Sequence, residues 1–376
     1  GRSMAKNIPR ICCLATSPGW VDAQLTKNCG IVPLLFHKMY GFQATMAGGN
    51  CGPYPSHVRY LPEVAMDFIV DPDGPDVVRY IEERAADIDV LVLHGPQEYY
   101  YAASLERYRA LRPDGRVYLE LDANSAWMDR LPWNTPSFRR FLSQCDVVGA
   151  SCRRMQQYLA AKWPCRVEYI PNGFYNFDGI DLTIDFAAKE DRIVTVGRIG
   201  SPEKRHELLL AAFAAVAAEF PSWTLRFVGG VTPEFEAYAR SFFSTRPALA
   251  ERVSFSGQIL DKAALFEEYR KAKVFALTSF KEGALNVATE ALFGGCYIVT
   301  SDIDASADMV DDGACGEIFP IDDEAALTAL LLRLLGDSSR IRRGGERAVR
   351  YGREVFDFTK IIQRLHDLLW EGGGRG

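Results

Sequence analysis

Apolar residues along the chain form two kinds of segment. Short runs rich in β-branched residues predict strands, and longer runs with apolar positions three or four residues apart predict helices. The predicted strands are 10–15, 43–46, 90–94, 116–121, 147–150 and 167–170 in the first half, and 192–196, 224–228, 253–256, 274–277 and 297–300 in the second. Helices such as 204–220 and 261–272 separate them. This alternation is typical of parallel sheets covered by helices.

The segment PNGFYNFDG at 171–179 interrupts this pattern with Pro, Gly and Asn, as a linker does. A chain of 376 residues also exceeds the size at which one hydrophobic core usually divides. We therefore predict an α/β protein with two doubly wound, Rossmann-like domains, at 4–171 and 172–355. The segment 356–376 contains apolar residues at helical spacing and is predicted to form a closing helix that packs back toward the first domain.

Composition narrows the class of protein. The net charge of −6 argues against a general nucleic-acid binder, which would usually be strongly basic. The nine cysteines are scattered without a C-x-x-C pair, which favours reduced thiols over disulfides or a zinc site. No apolar run reaches the roughly 18 residues of a membrane-spanning helix. We expect a cytoplasmic protein; peripheral contact with the inner face of a membrane stays open, although the charge does not support it.

Ligands of open parallel sheets bind beyond the carboxyl ends of the strands. At the first such junction of the second half, RIVTVGRIGSPEKRHELLLAAF, a strand ends at Gly197, the loop carries Arg198 and a helix starts near Lys204. A guanidinium fork, an ammonium group and the free amides of a helix start favour an anion such as phosphate. The alternative is an ordinary basic first turn of a surface helix.

A second junction, KEGALNVATEALFGGCYIVTS, places Glu290 as the one charged side chain between residues 284 and 301. A buried carboxylate needs a partner, since burial of an unpaired charge costs several kcal/mol. Glu282 lies in the loop before the helix, and Gly283 permits a tight turn there. The amides of Ala284, Leu285 and Asn286 at the helix start predict a second anion cradle.

Carboxylates accept hydrogen bonds from pairs of hydroxyl groups, so a sugar is a natural ligand for Glu282 and Glu290. The alternative is one surface glutamate and one buried carboxylate paired with a neighbouring side chain. These two residues, in the frame EGALNVATEAL, stand eight positions apart. This motif resembles the signature of retaining, nucleotide-sugar-dependent glycosyltransferases of the family-4 type with the GT-B fold. Further motifs follow the order of that family: PNG at 171–173, GR…K at 197–204, FVGG at 227–230 and F-x-G at 255–257.

The resemblance implies two Rossmann-like domains that face a central cleft, with the donor bound mainly by the second domain. It implies that Arg198 and Lys204 hold the donor diphosphate and that the amides after Gly283 cap it. It further implies that Glu290 binds the ribose and Glu282 the donor sugar. The loop formed by Gly257, Gln258 and Ile259 would contact the base. The expected reaction is transfer of a sugar from a UDP- or GDP-linked donor to an acceptor hydroxyl with retention, without cofactor or metal.

The first half matches the family less well. The Gly-rich loop that usually follows the first strand has its nearest match at Asn28-Cys29-Gly30. At the end of the fifth strand the family usually carries a histidine, where this chain has Leu121 and Asp122. Asp122 is therefore a candidate for a catalytic role, and His94 at the end of the preceding strand is another, unless it serves in capping or packing. The acceptor, whether glycan, lipid-linked or protein, stays open.

The sequence leaves two other classes of protein open and disfavours a third. The chain could be a catalytically silent GT-B partner subunit, although the four charged residues of the donor motif argue against that. It could be a nucleotide-sugar epimerase on the same fold, which would need no acceptor. A dinucleotide-binding protein is disfavoured because no G-x-G-x-x-G follows the first predicted strand.

Overall fold

The structure, a computed structural model, describes residues 7–282 and 286–371. Their contacts divide the chain into two compact units. The first consists of the chain up to Tyr175 together with the segment from Phe358 onward, and the second is Asn176–Asp357. None of the helices in these ranges is long and apolar enough to cross a membrane. All nine cysteines lie within the described ranges and are free thiols.

The first unit is built on a parallel sheet, which in its described part has seven strands in the order β3-β2-β1-β4-β5-β6-β7. The strands are β1 (Arg10–Leu14), β2 (Gln43–Gly48), β3 (Ala65–Phe68), β4 (Val90–His94), β5 (Arg116–Leu121), β6 (Val147–Ala150) and β7 (Glu168–Tyr169). The helices are α1 (Asp22–Leu25), α2 (Asn28–Tyr40), α3 (Pro55–Tyr60), α4 (Asp76–Arg84), α5 (Glu98–Leu111), α6 (Ser125–Met128), α7 (Pro136–Ser143) and α8 (Arg153–Lys162). The central strands are mostly apolar because helices bury both faces of the sheet.

The second unit has the same architecture, and its described residues form six parallel strands in the order β10-β9-β8-β11-β12-β13. The strands are β8 (Glu190–Val196), β9 (Thr224–Val228), β10 (Val253–Phe255), β11 (Ala272–Leu277), β12 (Tyr297–Ser301) and β13 (Gly316–Phe319). The helices are α9 (His206–Val216), α10 (Pro233–Ser244), α11 (Pro247–Ala250), α12 (Lys262–Lys271), α13 (Asn286–Phe293), α14 (Ser306–Val310), α15 (Glu324–Leu334) and α16 (Ser338–Val355). Phe213 of α9, Phe227 of β9 and Leu331 of α15 are fully buried in its core.

The last helix, α17 (Phe358–Trp370), belongs to the first unit. The amide of Phe358 donates to the carbonyl oxygen of Phe174 at 3.0 Å, which fixes the start of the helix. Further along, the ring of His366 stacks on Tyr40 of α2 with 3.8 Å between ring centroids. Ile362, Leu365 and Leu369 are buried, so one apolar face of α17 packs into the unit.

The two-sheet α/β fold predicted from the sequence is confirmed, with differences at the edges. Strands β3 and β13 were not predicted, because each is a short edge strand with few buried residues, none in β3 and two in β13. Strand β7 covers two residues where four were predicted. Helix α9 starts at His206 rather than at Lys204, which lies in a short 3-10 turn, Pro202–Lys204.

Each sheet has one point at which the strand order reverses. In the first unit this point lies between β1 and β4, and in the second it lies between β8 and β11. The connections from neighbouring strands leave in opposite directions there, so a crevice opens at the carboxyl ends of the two strands. The loops that follow β8 and β11, and those that follow β1 and β4, are therefore the first places to look for a ligand site.

Candidate active site

The loop after β8 lies directly against the loop after β9. The amide of Gly197 donates to the carbonyl oxygen of Val228 at 3.0 Å, and Ile199 pairs with Val231. A Cβ atom on Gly229 would lie 1.7 Å from the carbonyl oxygen of Gly197, and φ of Gly229 is 137°. Only glycine allows this close approach, so Gly229 of the FVGG motif keeps the loop that carries Arg198 close to the sheet.

Lys204 is held in place through its backbone by residues that follow β11. The amide of Phe280 donates to the carbonyl oxygen of Glu203 at 2.9 Å. The hydroxyl of Thr278 donates to the carbonyl oxygen of Lys204 at 2.7 Å. Arg205, with φ of 51°, turns the chain into α9. The position of Lys204 is thus set by both strands that flank the reversal of strand order.

The side chains of Lys204 and Glu282 meet at this position, although they are 78 residues apart in the sequence. The Nζ atom of Lys204 lies 2.5 Å from Oε1 of Glu282. The hydroxyl of Ser279 donates to the same oxygen at 2.8 Å. Both charged side chains are mostly buried, with 19% and 17% of their surface exposed. Two of the residues predicted to form the donor site therefore lie together, whereas Arg198 is exposed and forms no ion pair with any described residue.

His206 fixes the same loop from inside and was not predicted from the sequence. The amide of Gly200 donates to its Nδ1 at 2.8 Å, so Nδ1 is unprotonated and the ring is neutral. The side chain is 2% exposed. Burial, with a smaller effect of the charge on Lys204, lowers the pKa of His206 to about 3. The signal in the sequence is a histidine at the start of the helix HELLLAAF, which is apolar apart from Glu207.

Glu290 has a partner in the second unit. The hydroxyl of Tyr269 in α12 donates to its Oε2 at 2.7 Å. Tyr269 is fully buried, and burial together with the Glu290 carboxylate raises the pKa of this tyrosine well above its ordinary value. The expectation of a partner for the isolated carboxylate is met in this way, with one oxygen engaged by Tyr269.

The remaining predicted donor residues belong to two segments, 283–286 and 257–259. Gly283, Ala284 and Leu285 lie outside the described residues, so the amide cradle stays a prediction, and α13 begins in the described part at Asn286. In the loop after β10, Gly257 has φ of 72° and its carbonyl oxygen accepts from the amide of Gly229 at 3.2 Å. Gln258 is exposed and Ile259 half-buried. This loop therefore borders the same end of the sheet as Lys204.

In the first unit, His94 lies between two carboxylates at the carboxyl ends of β4 and β5. Its Nδ1 is 3.7 Å from Oε2 of Glu120, and its Nε2 is 3.9 Å from Oδ2 of Asp122. Burial disfavours the imidazolium, but Cys29 and Glu120 favour it more strongly and raise the pKa of His94 well above its ordinary value. Burial also raises the pKa of Asp122. The structure thus brings both predicted residues together and adds Glu120, which the sequence analysis missed.

Cys29 contacts the same histidine. Its Sγ lies 3.5 Å from Nδ1 and 3.4 Å from Nε2 of His94, so it is directed at neither nitrogen in particular. Burial raises the pKa of the Cys29 thiol to about 11. This thiol is therefore protonated near neutral pH, and the geometry does not suit an activated nucleophile.

Gly30 is not in a loop, contrary to the prediction of a phosphate-binding loop at Asn28-Cys29-Gly30. These residues form the first turn of α2, where the amide of Gly30 donates to the carbonyl oxygen of Lys27 at 3.1 Å. A Cβ atom here would lie 1.9 Å from the carbonyl oxygen of Leu25. The close contact between α1 and α2 thus requires a glycine at this position.

Comparison with solved structures identifies the fold class. The Anabaena protein HepE in complex with UDP superimposes with a TM-score of 0.73 over 96% of this chain and 99% of that chain, at 17% identity. Sucrose-phosphate synthase from Thermosynechococcus elongatus gives a TM-score of 0.71 over 96% of this chain and 98% of that chain, at 18% identity. The chain has the GT-B fold.

Sequence comparison finds a family match for part of the chain and similar proteins for most of it. Residues 190–337, within the second unit, match the family model "Glycosyl transferases group 1". A phosphatidyl-myo-inositol mannosyltransferase of Mycolicibacterium smegmatis is 29% identical over 316 residues, covering 80% of this chain and 77% of the relative. A D-inositol 3-phosphate glycosyltransferase of Nocardia farcinica is 31% identical over 201 residues, covering 51% of this chain and 44% of the relative. The second unit of the chain therefore contains a domain similar to those of the group 1 glycosyltransferases.

Proposed function

We propose that this glycosyltransferase transfers a hexose from a UDP- or GDP-linked donor to an acceptor hydroxyl. We further propose that the configuration at the reacting carbon is retained, as the family-4-type motif implies. The mannosyltransferase name of the mycobacterial relative supports hexose transfer, and UDP in the HepE structure supports a nucleoside diphosphate donor. The acceptors named for the relatives, an inositol lipid and an inositol phosphate, support an acceptor that is rich in hydroxyl groups.

The observation that carries the proposal is the Lys204–Glu282 pair at the reversal of strand order. Cleavage of the bond between sugar and phosphate places negative charge on the departing diphosphate and positive character on the sugar ring. The fixed ammonium group of Lys204 would stabilise the negative charge on the diphosphate. The fixed carboxylate of Glu282 would bind sugar hydroxyls beside the positive ring. Since one side chain lies 2.5 Å from the other, a diphosphate and its sugar would meet both at once. As the donor enters, the ammonium group would exchange the carboxylate for a phosphate oxygen.

Arg198 and Glu290 complete the proposed donor site. Arg198 is exposed on the loop after β8, where its guanidinium can turn toward a diphosphate. The Oε2 atom of Glu290 already accepts from Tyr269, which holds the carboxylate in one orientation for the two ribose hydroxyls. The loop from Gly257 to Ile259 would border the base through its main chain. In this proposal the diphosphate is bound after β8, the base after β10, and the sugar and the ribose after β11.

The proposed mechanism needs no protein base for the acceptor hydroxyl. With retention, the acceptor attacks from the face that the diphosphate leaves, so an oxygen of the departing phosphate is close enough to take the hydroxyl proton. Lys204 and Arg198 would meet the charge on the leaving group, which is the role that a divalent cation has in other transferases. We therefore propose that transfer proceeds without added metal and without a cofactor.

Replacement of Lys204 tests the assignment. Lys204→Ala should reduce donor turnover at least about a hundredfold, because removal of one preorganised group that stabilises the transition state typically costs about 3–4 kcal/mol. The assay measures release of UDP or GDP from a panel of nucleotide sugars, with and without EDTA. Lys271→Ala is the matched control, since Lys271 is an exposed lysine of the same unit at the end of α12.

Turnover of Lys204→Ala close to that of the wild type would contradict the phosphate assignment. The same panel separates the other classes of function. A silent partner subunit would neither hydrolyse nor transfer any donor, and an epimerase would change the sugar without releasing the nucleotide. Strict dependence on Mg²⁺ or Mn²⁺ would refute the argument that protein cations neutralise the leaving group.

A further inference from the structure

The first unit contains a polar site at its own reversal of strand order, between β1 and β4. His94 ends β4, Glu120 lies within the adjacent β5, and Asp122 follows β5 directly. None of the three is needed for the donor contacts proposed above. An imidazole between two carboxylates is costly to assemble inside a protein, because each charged group loses its hydration. The question is which ligand this group of side chains suits.

The distances within the group leave hydrogen bonds to be made. The two nitrogens of His94 lie 3.7 Å and 3.9 Å from the nearest carboxylate oxygens, which is too long for direct hydrogen bonds. A hydroxyl oxygen beside such a pair can lie about 2.8 Å from both atoms. It would accept from the imidazolium and donate to the carboxylate. A hydroxyl satisfies both partners at once because it is donor and acceptor.

The two carboxylates differ in access. The Asp122 side chain is 24% exposed, whereas that of Glu120 is 7% exposed and that of His94 is 14% exposed. A ligand can thus reach the pair formed by His94 and Asp122, while Glu120 stays behind the ring. We propose that His94 and Asp122 bind a hydroxyl group of an uncharged polyol acceptor, and that Glu120 is the residue that positions His94 for it. This inference rests on the proposed transferase function and names the class of its acceptor.

Trp20 supplies an independent observation. Its side chain is 2% exposed, and its Nε1 has no hydrogen-bond partner among the described residues. The ring lies 5.5 Å from that of His94, centroid to centroid. The ring is too buried to stack on a ligand, but an unpaired indole N–H close to the histidine is a donor for which a bound hydroxyl oxygen would be a partner. The site therefore combines donors, the N–H groups of His94 and Trp20, with an acceptor, the Asp122 carboxylate, as a polyol requires.

The charges argue against a phosphate group at this position. The titratable groups that influence His94 are Cys29, which is a thiol, and Glu120, and Asp122 lies on the other side of the ring. Apart from His94, Lys27 is the cation that acts on Asp122, and it is exposed. An imidazolium with two carboxylates is net negative, so an added phosphate would be repelled. An uncharged polyol ring with neighbouring hydroxyl groups is not repelled by these carboxylates.

The test uses the wild-type chain, a donor identified by turnover, and a set of acceptors. These are myo-inositol and methyl hexopyranosides, each compared with its monophosphate. Binding is measured by saturation-transfer NMR with the nucleoside diphosphate present, and transfer by product formation. We expect the uncharged compounds to give at least a tenfold higher kcat/KM than their monophosphates. Asp122→Asn should lower kcat/KM for the acceptor about tenfold or more, since a hydrogen bond to a charged group contributes about 1.5–3 kcal/mol.

Two further variants define the roles. Asp87→Asn, at an exposed position of the same unit, should leave acceptor kinetics unchanged. Glu120→Gln should move the alkaline limb of the pH profile for the acceptor to lower pH by about one unit or more, because a neighbouring carboxylate favours the charged imidazole. A residue with a purely structural role would change the amount of folded protein and leave the profile in place.

The outcomes separate the two proposals. Absence of nucleoside diphosphate binding and of donor turnover in the wild type would refute the proposed function itself. If donor turnover is present, this inference is overturned by any of three results: no polyol binds, the monophosphates are preferred, or Asp122→Asn matches the wild type for every acceptor.

Discussion

Acidification should lower the stability of the second unit through His206. In the folded chain the neutral ring accepts a hydrogen bond from the amide of Gly200 at 2.8 Å, and its pKa is lowered to about 3. In the unfolded chain the pKa returns to the ordinary value of 6.5. Between these values the unfolded chain binds a proton that the folded chain does not, so stability falls as pH decreases from about 6.5 toward about 3.

The size of the effect follows from the two pKa values. One pKa unit corresponds to about 1.4 kcal/mol, so lowering the pH from 7 to 5 should cost about 2 kcal/mol through His206. Complete protonation of the unfolded chain near pH 3 would cost about 5 kcal/mol as an upper limit. Carboxylates also titrate in the lower part of this range, so the window between pH 7 and 5 isolates the histidine best.

The assay compares the wild type with His206→Asn, in which the amide oxygen can accept from Gly200 without titrating. Hydrogen exchange of amides in β8 and β9, measured against urea, gives the free energy of unfolding for the second unit alone. We expect the wild type to lose about 2 kcal/mol more than the variant between pH 7 and 5. Equal losses in the two proteins, or an NMR titration of the His206 ring with a midpoint near 6.5, would refute the reasoning.

Further predictions concern binding and stability of the second unit. Glu290→Gln should weaken binding of UDP or GDP in a calorimetric titration, because the ribose is present without the sugar. Glu282→Gln should leave the affinity for UDP or GDP undiminished but lower turnover of the nucleotide sugar. Equal loss of nucleotide affinity in both variants would contradict the assignment of Glu290 to the ribose and Glu282 to the sugar. Lys189 is buried with its Nζ within hydrogen-bond distance of four carbonyl oxygens, those of Tyr269, Arg270, Ala272 and Gly294. Lys189→Met should therefore cost about 3–5 kcal/mol of unfolding free energy, measured by hydrogen exchange against urea. The exposed Lys271→Met should cost less than about 0.5 kcal/mol. Similar costs for the two variants would contradict a stabilising role of the contacts between Lys189 and the four carbonyl oxygens.

The sequence predicted the fold well where strands are buried on both faces. Strands β4, β5, β6 and β9 start and end at the predicted residues, since most of their residues are apolar or β-branched. Strand β13, GEIF, was missed because it lies at the sheet edge, where Ile318 is 36% exposed and the apolar pattern is weak. Edge strands need fewer apolar residues, so their local signal resembles that of a loop.

The candidate donor site was partly predictable. The residue types of Lys204 and Glu282 indicated ligand chemistry, but their contact depends on which strands are neighbours, and the order β8-β11 is a property of the whole sheet. The same holds for Glu120, whose place beside His94 follows from the pairing of β4 with β5. A charged residue inside the apolar strand YLEL was the available signal. Gly30 lies in the first turn of α2 rather than in a loop, and its close contact with Leu25 is a tertiary constraint that the local sequence does not show.

The central claim is tested most directly by a proton NMR time course of the wild-type chain with an α-linked nucleotide hexose, an uncharged polyol and EDTA. The spectrum distinguishes the anomeric proton of the donor from that of the product. We predict that the donor signal decays while an α-linked product forms, without divalent cations. A β-linked product would contradict retention, and an unchanged donor signal across UDP- and GDP-linked hexoses, with or without metal, would contradict the proposed transferase function.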